Sequence, residues 1–512
     1  MRTILTIIYV GISCFISAQT NLWSDSLAEN AHQITIFDDT EFIIQNQENS
    51  TKKRHYKIAI LDKYSNQARS ISLAYNEFST IKYAKVLVTD AFGRKISNYS
   101  LKHFEDWGDM SFNLASDMRS KYLEINNNTY PYFIEVSYEY QNKGSLHYPE
   151  WKPIQAWNHS IKEASLSVVA NSENDIRYYS QFVDEPTITR ADGKIKYSWK
   201  VENISVLKDE FFVPLYNLDG MPIVYVAPNA FSVDGYSGNM NTWESLGKWQ
   251  QLLNQNRNDL PAAEYEMFDD LVKNCSSDEE KIKVVYKYLQ DNFRYVSIQL
   301  GIGGWQPFKT ADVHNKKYGD CKGLTFYTKN VLEYLDIPAY YTLIKAGEFE
   351  SDIPKDFPIR MFNHAFLTVP LQNDTLFLEC TSSSAPFGYL GTFTSDRNAL
   401  MVTPNGGELI RTKAYSADEN LKVTVAHLNI LENGDAEAKV NVEMNCLEIE
   451  DEYTWVLEDS KEEQKKYLYD NLDWGDFVIN DFVSAEITYT RLPSTSLNLD
   501  LSFTKKAKKT GK

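Results

Sequence analysis

The sequence predicts a multidomain α+β protein, and three patterns carry that prediction. Between residues 41 and 235, apolar and polar residues alternate with a period of two, as from Tyr56 to Leu61 and from Tyr132 to Tyr140. Such alternation marks antiparallel strands with one solvated face. Between residues 236 and 415 the period lengthens to three and four, and helical stretches interleave with short apolar runs. From 416 to 512 alternation returns around the turn Asn433-Gly434, a hairpin signal. A chain of 512 residues is too long for one ordinary core. With 43% hydrophobic and 24% charged residues it has the composition of folded protein.

The first 18 residues have the pattern of a signal peptide. Arg2 supplies a positive start, Ile4 to Ile16 is apolar, and Ser17-Ala18 offers a small-residue cleavage site before Gln19. The apolar run is too short to span a membrane comfortably. It includes Cys14, which lies in a poor lipobox and is read as discarded with the peptide. The expectation is an exported protein (periplasmic, envelope-associated or extracellular) with no transmembrane segment. Residues 19 to 40 are polar and mixed and read as a leader.

The region 41–235 reads as a β-sandwich-like domain of antiparallel strands, with turns such as Ala191-Asp192-Gly193. Two aromatic clusters, His147 to Trp151 and Trp157 to His159, read as packing at sheet corners, with a binding surface as the alternative.

In the core, 236–415, Thr242-Trp243 opens a helix that runs through Leu253. Ser277 to Glu280 has the form of a capping box, and Ile282, Val285, Leu289 and Phe293 follow on one helical face. Arg294 to Ile298 is a short strand. Gly301 to Pro307 is a glycine-rich loop that lacks the phosphate-cradle motif. Tyr318-Gly319-Asp320-Cys321 then leads into Leu324, Tyr327, Val331 and Leu335, one face of a helix closed by Ile337-Pro338. A strand follows at Tyr340 to Ile344. Two more, Phe362 to Val369 and Leu376 to Thr381, flank a turn at Gln372 to Thr375. The remaining segment, 416–512, is a C-terminal β-rich domain with one capped helix from Ser460 and a basic tail.

The chemistry concentrates at Cys321. Unpaired N–H groups and the dipole of a helix N-terminus favour negative charge, and a thiolate is such a charge. A thiol nucleophile needs a base in hydrogen-bond reach and a third group to orient that base. His364 lies in a strand shortly after the cysteine helix, and Glu379 lies on the strand paired with it, so a hairpin brings them together. His314 is closer in sequence to Cys321 but precedes Lys316-Lys317 and reads as exposed. Of the five cysteines, setting aside Cys14 leaves Cys275, Cys321, Cys380 and Cys446, widely spaced and read as single thiols. Neither a C-x-x-C pair nor a His/Cys cluster points to a metal, and no cofactor is expected. A net charge of −18 argues against nucleic acid as the main partner.

These residues carry a resemblance. Tyr318-Gly319-Asp320-Cys321-Lys322 with its helix, Asn363-His364 opening a strand, and Leu378-Glu379-Cys380-Thr381 resemble the three core motifs of the transglutaminase-like superfamily, over roughly residues 262 to 410. The β region before them resembles the uncharacterised domain that commonly precedes such cores in exported bacterial proteins. The resemblance implies a papain-like α+β core, with Cys321 as nucleophile, His364 as general base and acid, and Glu379 at the acid position, where the family usually has Asp. It implies acyl transfer on protein or peptide amides through a thioester. The oxyanion would be held by the Cys321 N–H and a second donor, for which Gln299 and Trp305 are candidates and packing roles the alternative. Amidase or peptidase activity is expected over cross-linking. Two competing expectations stand beside it. One is a catalytically silent binding or structural protein of the cell envelope, favoured by Glu in place of Asp. The other is a glycan-binding surface protein, which rests on aromatic abundance alone.

Overall fold

The computed structural model describes residues 22–108, 113–146, 148–172, 175–207, 221–450 and 460–508. The signal-peptide pattern with Cys14, the residue His147 and the last four residues of the basic tail lie outside the described residues. The chain is multidomain and α+β, with a large sheet-rich N-terminal region, as its patterning predicts.

The N-terminal region is built on one eight-stranded sheet. Its strands are β1 (Gln33–Asn46), β2 (Asn49–Ile60), β3 (Ser79–Asp90), β4 (Lys95–Ser100), β5 (Tyr132–Lys143), β6 (His159–Ala170), β7 (Thr187–Ala191) and β8 (Lys194–Ile204), in the order β7-β8-β6-β1-β2-β5-β3-β4. All neighbours are antiparallel except β1 and β6, which run parallel from Gln33 beside His159. The sheet is therefore mixed, not antiparallel throughout. Instead of one partner sheet it has two small ones. Ile71, Leu73 and Leu123 of one pack on Val86, Val88, Ile134 and Val136. Ile176, Val224 and Val226 of the other pack on Phe42, Ile44, Leu166 and Trp199.

The strand β1 begins inside the stretch read as a leader. Asp38 and Asp39 interrupt the alternation and hide it. Asp38 is buried, and Arg54 on the neighbouring β2 meets it with two hydrogen bonds of 2.8 and 2.6 Å. Such a bidentate pair lets a strand carry a charge inward. Trp151 and His159 are buried, so these members of the aromatic clusters are packing residues.

The core region holds a five-stranded antiparallel sheet: β9 (Tyr340–Ile344), β10 (His364–Pro370), β11 (Thr375–Leu378), β12 (Asn398–Thr403) and β13 (Gly406–Arg411), in the order β11-β10-β9-β12-β13. Its longer helices are α1 (Trp243–Asn254), α2 (Ala262–Val272), α3 (Asp278–Asn292), α4 (Thr310–Lys316) and α5 (Cys321–Tyr334). On α5, Leu324, Tyr327 and Val331 pack between Ile282, Val285 and Leu289 of α3 and Leu367, Val369, Leu376 and Leu378 of the sheet. The 3.6-residue stripe seen in the sequence is this buried face. The Ser277 hydroxyl caps α3 by accepting from the Glu280 N–H, but the Glu280 carboxylate turns to Ser276 instead of completing the box. The start of α1 lies backbone to backbone on the sheet: a Cβ on Gly247 would sit 2.0 Å from the Gly407 nitrogen. Only glycine permits that approach.

Backbone pairing ties the two regions together, with Asn113–Ser116 running parallel to Ser297–Gln299. A four-stranded antiparallel sheet, from Lys422 to Phe503, with the helix Lys461–Asn471 against it, forms the C-terminal part.

Candidate active site

The site begins where α5 begins. Asp320 is its N-cap: Oδ1 accepts from the Gly323 N–H at 2.9 Å, while its other oxygen takes the ammonium of Lys322. Both side chains are buried, and the pair neutralises itself beneath the helix start. Cys321 is thereby fixed on the first turn, 5% exposed. Thr325, one turn on, donates to the Ala365 carbonyl at 3.2 Å, which ties the cysteine helix to the residue after His364.

His364 is the first residue of β10. Asn363 just before it is clamped to Ala346, accepting from its N–H at 2.7 Å and donating to its carbonyl at 2.9 Å. Across the hairpin Leu367 pairs with Leu378. Continuing that register sets Glu379 opposite Phe366, two residues from His364 and on the same face. The outcome is direct contact: His364 Nε2 lies 3.1 and 2.9 Å from the two Glu379 oxygens. The Thr381 amide and hydroxyl both donate to Glu379 Oε1, at 3.2 and 2.6 Å, and hold the carboxylate in place.

Burial alone would lower the pKa of His364. The Glu379 carboxylate outweighs it, with the nearby Cys321 sulfur adding to the effect, and raises the group to about 10. Burial likewise pushes Glu379 upward, but His364 and Thr381 bring it below its usual range. The site thus holds an imidazolium and a carboxylate at neutral pH. With Nε2 engaged by Glu379, Nδ1 is the ring nitrogen left for the sulfur.

Cys321 and His364 line one cavity of about 560 Å³ together with Gln299, Trp305, Lys322 and Arg360. Asn76, Phe78 and Asp117 of the N-terminal region line it as well. Both oxyanion candidates are therefore at the site. Gln299 Oε1 accepts from Lys322 at 3.5 Å, and the Trp305 ring packs against Phe78 and the Arg360 guanidinium. Burial lowers the pKa of Arg360 to about 9, which still leaves it charged at neutral pH.

His314 is not exposed. It sits on α4, buried against α5, with Nδ1 2.9 Å from the Tyr327 hydroxyl. Lys316 after it faces solvent, while Lys317 is half-buried and donates to the Tyr288 hydroxyl at 3.2 Å; the α4–α5 packing turns His314 inward and away from the Cys321 cavity. The four described cysteines are all free. Burial, then the Glu379 charge, pushes the Cys380 thiol up to about 12, and burial raises Cys446 to about 11. Among the described residues, no three His, Cys, Asp or Glu side chains gather where they could hold a metal ion, and no helix is long and apolar enough to cross a membrane. Reading the sequence assigned no role to Asp320, Lys322 or Arg360. An Asp directly before a helical stripe is a capping signal and was available. Nothing local marks Arg360.

Comparison with known proteins gives the following. Residues 46–208 match the Domain of Unknown Function with solved-structure structure (DUF3857). No curated protein matches the chain. Among solved structures, a chain from Parabacteroides distasonis described as a "putative protease" superimposes with a TM-score of 0.55, over 93% of this chain and 94% of that one, at 12% identity. That likeness shows a shared fold. A chain from Cytophaga hutchinsonii described as a "putative cysteine protease" covers 66% of this chain and 78% of its own at 11% identity, with a TM-score of only 0.20.

Proposed function

We propose that the protein is an exported, transglutaminase-like cysteine amidase, peptidase or acyltransferase with a papain-like core, acting on protein or peptide amides. The observation that carries this reading is the hydrogen-bonded His364–Glu379 pair, whose His364 lines the same cavity as Cys321. The Cys321 thiolate attacks the amide carbonyl carbon. The C–N bond breaks, the proton on His364 passes to the leaving amine, and a thioester forms. In hydrolysis, His364 then takes a proton from water as its oxygen attacks the thioester, and the sulfur leaves as thiolate. An amine in place of water gives cross-linking. The Cys321 N–H, with Gln299 as second donor, serves the oxyanion.

Two further facts fit. DUF3857 is often found before transglutaminase-like domains, and here it precedes the cysteine core. The Parabacteroides chain of the same fold is described as a "putative protease". The competing reading, a silent binding or structural protein, drew on Glu in place of Asp. The Glu379 carboxylate reaches His364, which removes that ground. Export rests on the N-terminal sequence pattern.

The test is alkylation of the mature protein with limiting iodoacetamide at pH 7, read site by site by mass spectrometry. Cys321 should label at least about tenfold faster than Cys275, Cys380 and Cys446, and His364→Ala should abolish the advantage. Equal labelling of the four thiols overturns the reading.

A further inference from the structure

Resting on that reading of the site, we propose that the substrate carries a carboxylate close to the amide acted upon, and that Arg360 is its receptor. Around the cavity the buried charges are already answered, and the half-buried Arg360 is not. Lys322 is paired with Asp320, and His364 with Glu379. Arg360 lines the same cavity. Among the described residues no carboxylate pairs with it and no acceptor takes its N–H groups. Its close contact is the face of Trp305, with the guanidinium carbon 5.0 Å from the ring centroid. Asp117 also lines the cavity, but one of its oxygens accepts from the Glu77 N–H at 3.3 Å and it forms no ion pair with Arg360.

The cation is also positioned. Phe78, from the N-terminal region, packs on Trp305 with ring centroids 5.7 Å apart, and Trp305 in turn carries the guanidinium. Stacking on an aromatic face leaves the edge of the guanidinium free, and the edge holds the donors that match a carboxylate two at a time. Burial has weakened the hold of Arg360 on its charge, so an arriving anion replaces solvation that the protein does not supply. A cavity of about 560 Å³ suits a peptide fragment. The common anion of a peptide is a carboxylate, either an Asp or Glu side chain or a chain terminus. Both present the same chemistry to Arg360.

Two measurements test this on the full mature chain. The first compares Cys321 labelling by iodoacetate and by iodoacetamide, reagents of similar size that differ in charge. The ratio of the anionic to the neutral rate should fall by about tenfold in Arg360→Gln and by less in Arg360→Lys, while the ratio at Cys275 stays put. An unchanged ratio in Arg360→Gln overturns the proposal. The second measurement needs no Arg360 variant and no reactive thiol. In Cys321→Ser, calorimetry compares acetyl-Ala-Glu-amide, acetyl-Ala-Gln with a free terminus, and neutral acetyl-Ala-Gln-amide. One of the two anions should bind about tenfold or more tighter than the neutral peptide, and which one identifies the source of the carboxylate. Equal binding of all three overturns the anion receptor. Slow labelling of Cys321 by both reagents, with selective carboxylate binding intact, would instead sink the acyl-transfer reading and leave Arg360 its role.

Discussion

Two histidines of this chain are buried to nearly the same depth, His159 of the N-terminal sheet at 5% exposure and His364 of the core at 8%. Each feels a carboxylate, yet they reach opposite charge states. Burial lowers His159 to about 4, against the upward pull of Asp38 and with the help of Arg54. His364 rises to about 10 in spite of burial. What separates them is how each carboxylate is already engaged. Asp38 is taken up by Arg54 through two charge-assisted hydrogen bonds, while His159 Nε2 meets only the Thr35 hydroxyl, at 2.8 Å. Glu379 is held by the neutral donors of Thr381, so its charge is left for the imidazole. A carboxylate near a histidine is thus insufficient for an acid–base group; it must be free of other cations.

The largest expected effect comes from breaking the N-terminal arrangement. Arg54→Met strands the buried Asp38 carboxylate, and loss of one partner of a buried pair costs about 3–5 kcal/mol. Urea unfolding of the variant checks this. The proton-bound form of His159 should gain, so its titration, followed by nuclear magnetic resonance, should move up from about 4. Cys321 labelling should stay as it was, because the two histidines share no partner. An unmoved His159 would show that Arg54 is not what silences Asp38.

The reverse change makes His364 resemble His159. Glu379→Gln keeps the shape and removes the charge, so burial prevails and the pKa falls from about 10. A roughly 10²-fold loss in the rate of Cys321 alkylation near pH 7 is expected, in line with the removal of a residue that orients and charges a catalytic base. The alkaline limb of the rate profile should move acidward. A limb that stays in place would mean that Glu379 does not hold the His364 proton.

The contrast between these two regions also marks what a sequence can disclose. The helix from Cys321 and the hairpin bearing His364 and Glu379 were legible because their signals are local: a stripe at 3.6 residues, a turn between two apolar runs. The parallel pairing of β1 with β6 joins Gln33 to His159 across more than a hundred residues, and no short pattern encodes it. The first residues of β1 were obscured by Asp38 and Asp39, whose burial makes sense only with Arg54 in place. His314 misled for a similar reason, since its surroundings come from α5 and not from its own neighbours. Arg360 was invisible: it arrives from the aperiodic stretch between β9 and β10 and gains meaning only beside Trp305 and Cys321.

The two histidines and Glu379 also shape stability against pH. The folded state binds the His364 proton more tightly than the unfolded chain, whose histidines titrate near 6.5. That contribution is full below about 6.5 and drains as pH rises through about 10. Glu379, held low in the fold, contributes above its unfolded value and loses that contribution as pH falls through its folded one. His159 is kept neutral, so the fold loses stability as pH falls from about 6.5 towards 4, where the unfolded chain takes the proton first. Urea midpoints should therefore be highest near about pH 6.5 and fall on both sides of it. His159→Gln should flatten the acid side, and Glu379→Gln the alkaline side. His159→Gln should leave the alkaline flank as it is, whereas Glu379→Gln also alters the acid flank by removing the Glu379 contribution.

The smallest effect is expected from Glu379→Asp, which keeps the charge and shortens its reach by one methylene. In this hairpin the carboxylate starts from a position opposite Phe366, diagonal to His364, and the longer side chain lets both oxygens come within 3.1 Å of the imidazole. Aspartate would stand further back, hold the proton less firmly and lose the Thr381 clamp in part. Cys321 labelling should fall by less than about tenfold, well short of the Glu379→Gln loss, because charge at a distance still favours the imidazolium. If aspartate were as damaging as glutamine, direct contact and not charge would be what distinguishes His364 from His159. If it were harmless, the length of Glu379 would be incidental to the site, and the usual aspartate would serve this hairpin equally well.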